Sequence, residues 1–134
     1  VLQEADFISL HVAYNQETHH LISERELHRM KPDAILINTS RGPVLDEKAL
    51  VKALQEGKIG GAGLDVFENE PLIEAELLEM DQVVVVPHIG SATVATRTKM
   101  AMIAIDNLMA IINGEHAPNL VNAPILSSGQ VKVL

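Results

Sequence analysis

Four short apolar runs, each bounded by polar or turn-forming residues, set the rhythm of the chain. They are DFISLHV at Asp6 to Val12, AILIN at Ala34 to Asn38, GAGLDV at about Gly61 to Val66, and VVVV at Val83 to Val86. Their length and aliphatic content predict buried strands. Between them the spacing changes to that of helices. Ser23 stands three residues before Glu26, a capping-box spacing that predicts a short helix to about Met30, ended by Lys31 and Pro32. Asp46 is placed to cap a helix over Glu47 to Glu56, with Leu50, Val51 and Leu54 on one face and Gly57 at its end. A shorter helical piece is expected around Glu74 to Met80. The longest helical pattern runs from Ala92 to Asn113 and closes on Gly114. It is apolar on so much of its surface that covering on more than one side is expected. Periodicity fades after Pro118, and Ser127 to Leu134 receives no assignment.

Strands that alternate with helices at this spacing predict an α/β fold with a parallel sheet and right-handed crossovers. The chain opens on what reads as the last turn of a helix rather than on a first strand. No GxGxxG follows any strand, and the glycines from Gly57 to Gly63 lead into a strand instead of a helix, so they form no dinucleotide fingerprint. The sheet therefore reads as part of a larger one.

Composition narrows the function classes. A chain of 134 residues supports one domain with a modest core. Only Phe7, Phe67 and Tyr14 are aromatic, which leaves that core to aliphatic residues. Eighteen acidic against ten basic residues give a net charge of -8, with no basic cluster to follow a phosphate backbone, so nucleic acid is not an expected partner. No long uncharged apolar run predicts a membrane span, and the first residues lack the features of an export signal; a soluble, cytoplasmic protein is expected. The absence of cysteine excludes disulfides and thiolate chemistry. His19 and His20 are adjacent, which is the wrong spacing for helix or strand ligands, and with no HExxH no metal is expected.

The candidate chemistry lies where apolar runs end, because open parallel sheets bind ligands beyond the carboxyl ends of their strands. Arg41 follows INTS; its planar guanidinium suits a carboxylate gripped through two hydrogen bonds, although a solvated turn arginine is the plain alternative. His88 leaves the valine run through Pro87. It is suited to give or take a proton, with Glu70 as a carboxylate that would favour its charged form; a capping histidine is the alternative. Asp65, inside GLDVFE, either accepts from a carboxamide or caps the following turn. Ser91 and the amides near Gly90 stand before the long helix, where an anionic group is favoured, unless Ser91 simply caps it. The alternating acids Glu68 and Glu70 also admit a glycosidase-like pair, which nothing else in the chain supports.

Taken together, LHVAYNQETHHLI, MKPDAILINTSRGPVLDEKALVKALQEGKIGGAGLDVFENEP and VVVVPHIGSATVATR resemble the D-isomer-specific 2-hydroxyacid dehydrogenases, from about Ala5 to Asn122. PHIGSAT and NGEHAPNLVN look most like the glyoxylate, hydroxypyruvate and 2-ketogluconate reductase branch. The resemblance implies the second half of a Rossmann-like doubly wound parallel sheet plus a long C-terminal helix. Residues 1–122 would be a partial NAD(P)-binding domain with its crossover helix, and 123–134 an unassigned tail. It implies that Arg41 binds the substrate carboxylate and carbonyl, that His88 is the general acid/base, and that Glu70 supports it. Asp65 would lie by the nicotinamide, Thr39, Ser40 and Gly90 would line the cofactor (NAD or NADP), and Ser91 would face the substrate. A glutamine at position 70 would have suggested formate dehydrogenase. The chain departs from the family where Pro-Leu is usual after LHV: Ala13 and Tyr14 stand there, at a cofactor-facing turn. Family members run to roughly twice this length or more, as two domains require. The implied function is NAD(P)-dependent reduction of a small 2-oxo acid, inactive in this segment alone. A phosphoglycerate dehydrogenase segment and a non-catalytic, self-associating module are the alternatives. An exposed edge at Asp6 to Val12 predicts self-association, as a dimer or other homo-oligomer.

Overall fold

The computed structural model describes residues 1–121, so the expectations for 122–134 lie outside the described residues. It forms two compact units, Val1–Gly90 and a second from Ser91 onward.

In the first unit a four-stranded, wholly parallel sheet runs in the order β1 (Phe7–Leu10), β2 (Ile35–Asn38), β3 (Gly61–Leu64), β4 (Val83–Val85). All four predicted strands are present, each shortened where the chain turns into polar loop. Helices α1 (Glu24–Leu27), α2 (Glu47–Gln55) and α3 (Ala75–Leu78) fill the crossovers. Register explains the core. Ile8 pairs with Leu36, which pairs with Ala62, and Leu10 with Asn38, which pairs with Leu64. These side chains share one face and are buried with Leu27, Leu45, Leu50, Leu54 and Leu77. The opposite face carries Phe7, 71% exposed, and Val84, 66% exposed. The strands were expected to be buried on both sides; here the pleat buries one face, and β1 alternates exposed and buried as a half-covered strand does. Gly61 permits the close approach of β3 to the residue before β4, since a Cβ there would lie 2.5 Å from the Gln82 carbonyl oxygen.

The caps follow the sequence signals. The Glu26 carboxylate accepts from the Ser23 N–H at 3.3 Å and from its hydroxyl at 2.7 Å, and Asp46 accepts from Ala49 N–H at 3.0 Å. Gly57 takes φ +64, the left-handed conformation that ends α2.

The second unit holds α4 (Val94–Ile112). Its N-cap is Thr93, whose hydroxyl accepts from Thr96 N–H at 3.2 Å, so the alternative that Ser91 simply caps this helix does not hold. No residue of α4 is buried. Asn119 N–H donates to Asn107 Oδ1 at 2.9 Å, tying the segment after α4 back to it. Among the described residues no helix is long and apolar enough to cross a membrane.

Candidate active site

The site is built on three loops at the carboxyl ends of β2, β3 and β4. After β2 the buried Asn38 organises its own turn. Its Oδ1 accepts from Ser40 N–H at 3.1 Å and from the Ser40 hydroxyl at 2.9 Å, and its Nδ2 donates to the Arg41 carbonyl at 3.1 Å. A carboxamide is the side chain that can both donate and accept in this way. The turn leaves Arg41 exposed, with one guanidinium N–H on the Ser40 carbonyl at 2.6 Å. Among the described residues no carboxylate lies within ion-pair distance of it.

After β3 the chain turns through Phe67–Pro71. Glu70 Oε1 accepts from Phe67 N–H at 3.0 Å, which folds the loop on itself, and Oε2 lies 2.9 Å from His88 Nδ1. The hydrogen bond from the His88 ring, then that from Phe67, holds the Glu70 carboxyl below its ordinary value. Glu70 is thus ionised at neutrality, accepts from Nδ1–H, and leaves Nε2 as the free nitrogen of the ring.

After β4, His88 adopts φ +53, a left-handed conformation costly for a residue with a Cβ. Asp65, buried at the end of β3, holds this turn: Oδ1 accepts from Ile89 N–H at 2.6 Å and Oδ2 from Gly90 N–H at 2.8 Å. Asp65 therefore clamps a turn more than twenty residues downstream rather than capping the one that follows it.

Two clefts flank Arg41. One, of ≈550 Å³, is lined by Arg41, Glu70 and His88 together with Pro43, Phe67 and Leu72. Another, of ≈580 Å³, is lined by His11, Val12, Ala13, Tyr14, Thr39, Ser40 and Arg41. Arg41, Glu70 and His88, far apart in sequence, thus meet around one cleft, and Ala13, Thr39 and Ser40 meet around its neighbour. Ser91 lies in the second unit, two residues before the cap of α4. The second cleft has hydroxyl, imidazole and backbone groups, one cation and no carboxylate, a donor set that fits an uncharged carboxamide-bearing ring and its ribose.

The profile described as D-isomer specific 2-hydroxyacid dehydrogenase, NAD binding domain matches residues 1–90. The chain belongs to this family. It is 58% identical to the glyoxylate reductase of Thermococcus litoralis over 128 residues, which is 96% of this chain and 39% of that protein. It is 55% identical to the glyoxylate/hydroxypyruvate reductase B of an Enterobacter species, over 91% of this chain and 38% of that one. Among solved structures, an NADPH-dependent glyoxylate/hydroxypyruvate reductase from Sinorhizobium meliloti in complex with NADP and malonate matches with TM-score 0.85 and 40% identity, over 90% of this chain and 38% of the other. The NAD+ complex of a D-lactate dehydrogenase from Lactobacillus jensenii matches with TM-score 0.82 and 35% identity, over 90% and 41%. The chain thus spans about two fifths of the length of these relatives. None of these names favours the phosphoglycerate dehydrogenase alternative.

Two site residues escaped the sequence reading, Asn38 through its carboxamide and Gly42 through its lack of a side chain, because only the fold reveals their partners. Gly42 is the clearest case: a Cβ there would lie 1.9 Å from the Phe67 carbonyl carbon and oxygen, so the segment after Arg41 lies directly against the loop that carries Glu70.

Proposed function

We propose that the chain is the catalytic-residue-bearing part of an NAD(P)-dependent 2-hydroxyacid dehydrogenase that reduces a small 2-oxo acid of the glyoxylate or hydroxypyruvate type. The observation that carries the reading is the Glu70–His88 hydrogen bond beside an arginine with no carboxylate partner among the described residues, all three lining one cleft. Names of relatives more than half identical support the substrate class.

In this reading the Arg41 guanidinium grips the substrate carboxylate through two parallel hydrogen bonds and so presents the adjacent carbonyl to His88. The nicotinamide cofactor, when bound, would supply the hydride that the carbonyl carbon takes up. His88 gives its Nε2 proton to the carbonyl oxygen, which becomes the hydroxyl of the product. Glu70, accepting from Nδ1–H, fixes the ring tautomer and stabilises the cationic ring that carries that proton. Ala13, Thr39 and Ser40 are proposed to touch the cofactor in the cleft they line, with Asp65 and the Gly90 amide it holds placed beside the nicotinamide. Ser91 is proposed for the substrate side.

The test is a panel of 2-oxo acids reduced by the full-length protein with NADH and NADPH, followed at 340 nm. Turnover of glyoxylate or hydroxypyruvate is expected; activity confined to larger, branched or phosphorylated 2-oxo acids would overturn the substrate assignment.

A further inference from the structure

We propose that Glu47, Glu68 and His20 form a clasp outside the reacting atoms that positions Glu70 against His88. Glu47 is the first residue of α2, and 3% of its surface is exposed, which is unusual for an acid with no cation against it. Its Oε1 accepts the Glu68 N–H, while Glu68 Oε2 accepts the Glu47 N–H at 3.3 Å, so two glutamates exchange backbone hydrogen bonds across 21 positions of sequence. Glu68 Oε1 in turn meets His20 Nε2 at 2.5 Å, and His20 Nδ1 lies 3.8 Å from the Asp46 carboxylate that caps α2. Burial, opposed by the hydrogen bond from Glu68 and reinforced by the negative charges of Glu68, Glu74 and Glu70, pushes the Glu47 carboxyl up. The partner of this buried carboxyl is the loop that carries Glu70.

The chain of contacts is short. Phe67 N–H is taken by Glu70 and Glu68 N–H by Glu47, so the carboxylate that touches His88 leaves a loop whose first amides are pinned from two directions. Releasing Glu68 frees the loop to rotate Glu70 away from Nδ1, and a displacement of about 1 Å is enough to cost a proton-transfer geometry roughly two orders of magnitude. Glu47, Glu68 and His20 are positioning residues.

The inference rests on the proposed reductase activity only where turnover is measured. In the full-length protein, Glu47→Leu is expected to lower kcat roughly tenfold or more while the dissociation constant for NAD(P)H stays within about twofold. It is also expected to abolish the downfield proton resonance of His88 Nδ1–H. Glu47→Gln, whose carboxamide oxygen still accepts from Glu68 N–H, is expected to restore both. In a Glu70→Gln background, Glu47→Leu should lower kcat less than about twofold further, since a residue acting through Glu70 has nothing left to position. An undiminished kcat in folded Glu47→Leu, or a full additional loss in the Glu70→Gln background, would overturn the clasp. Should Glu47→Leu not fold, His20→Asn, which tolerates the left-handed φ of +48 at that position, carries the same test with a smaller expected loss of roughly threefold. If the wild type reduces no 2-oxo acid, the functional reading fails by itself; the His88 resonance still decides the clasp, and its persistence in Glu47→Leu would end it.

Discussion

Arginine 41 and histidine 88 differ in what their loss should do. In the proposed mechanism Arg41 grips the substrate carboxylate, so Arg41→Lys, which keeps the charge but loses the planar fork, is expected to raise KM for the 2-oxo acid and lower kcat/KM by roughly 10²-fold, with cofactor affinity unchanged. In the same proposal His88 transfers the proton, so its loss should appear in kcat. Asn is the informative replacement because it accepts the left-handed backbone of position 88; His88→Asn is expected to lower kcat by about 10²- to 10⁴-fold while thermal stability falls only by the lost hydrogen bond to Glu70. Stopped-flow and steady-state kinetics at saturating cofactor separate the two outcomes. Glu70 adds a pH signature. Its carboxyl is held below its ordinary value by His88, so the hydrogen bond contributes fully above the ordinary glutamate range and is lost as pH falls through the lowered value. The acid limb of stability should flatten in Glu70→Gln.

Among the elements, α1 offers a second pH test. Glu26 is held at about 2, first by the Ser23 hydroxyl, against burial, and with help from Arg25. Because this value is depressed, the stabilisation is complete above pH 4.5 and disappears as pH falls towards 2. Chemical denaturation across that window should show Glu26→Gln losing the pH slope and costing roughly 1 kcal/mol at neutrality. Elements of this kind were legible before the fold was known, because their information is local: Ser23 and Glu26 are three residues apart, Asp46 and Ala49 likewise. The apolar runs fixed which segments are strands, and the turn residues after them pointed to Arg41, Glu70 and His88. What stayed hidden is non-local. Asp65 and Ile89, Glu47 and Glu68, and Gly42 and Phe67 are joined only after the sheet has assembled, and nothing in either partner's neighbourhood names the other. The expected burial of both sheet faces failed for a related reason. A run such as FISL is apolar enough for either environment, and only the pairing register decides which side chains meet the core. The cap of α4 falls to Thr93 although Ser91, two residues earlier, has the same capping chemistry.

Across the first unit as a whole, the three loops behave as one assembly because they share backbone contacts as well as a cleft. Gly42→Ala tests this directly. With a Cβ 1.9 Å from the Phe67 backbone the loops must separate, and a loss of more than about 2 kcal/mol in stability is expected, together with a fall in kcat, although position 42 contributes no side chain to the chemistry. Differential scanning calorimetry and turnover on the same preparation would show both effects together. The same contact limits how the selectivity of such a protein can be redesigned. A loop taken from a relative to replace residues 39–45 arrives shaped to a different neighbour, so residues 66–71 must be transplanted with it, and chimaeras that exchange either segment alone should be inactive whatever side chains they introduce.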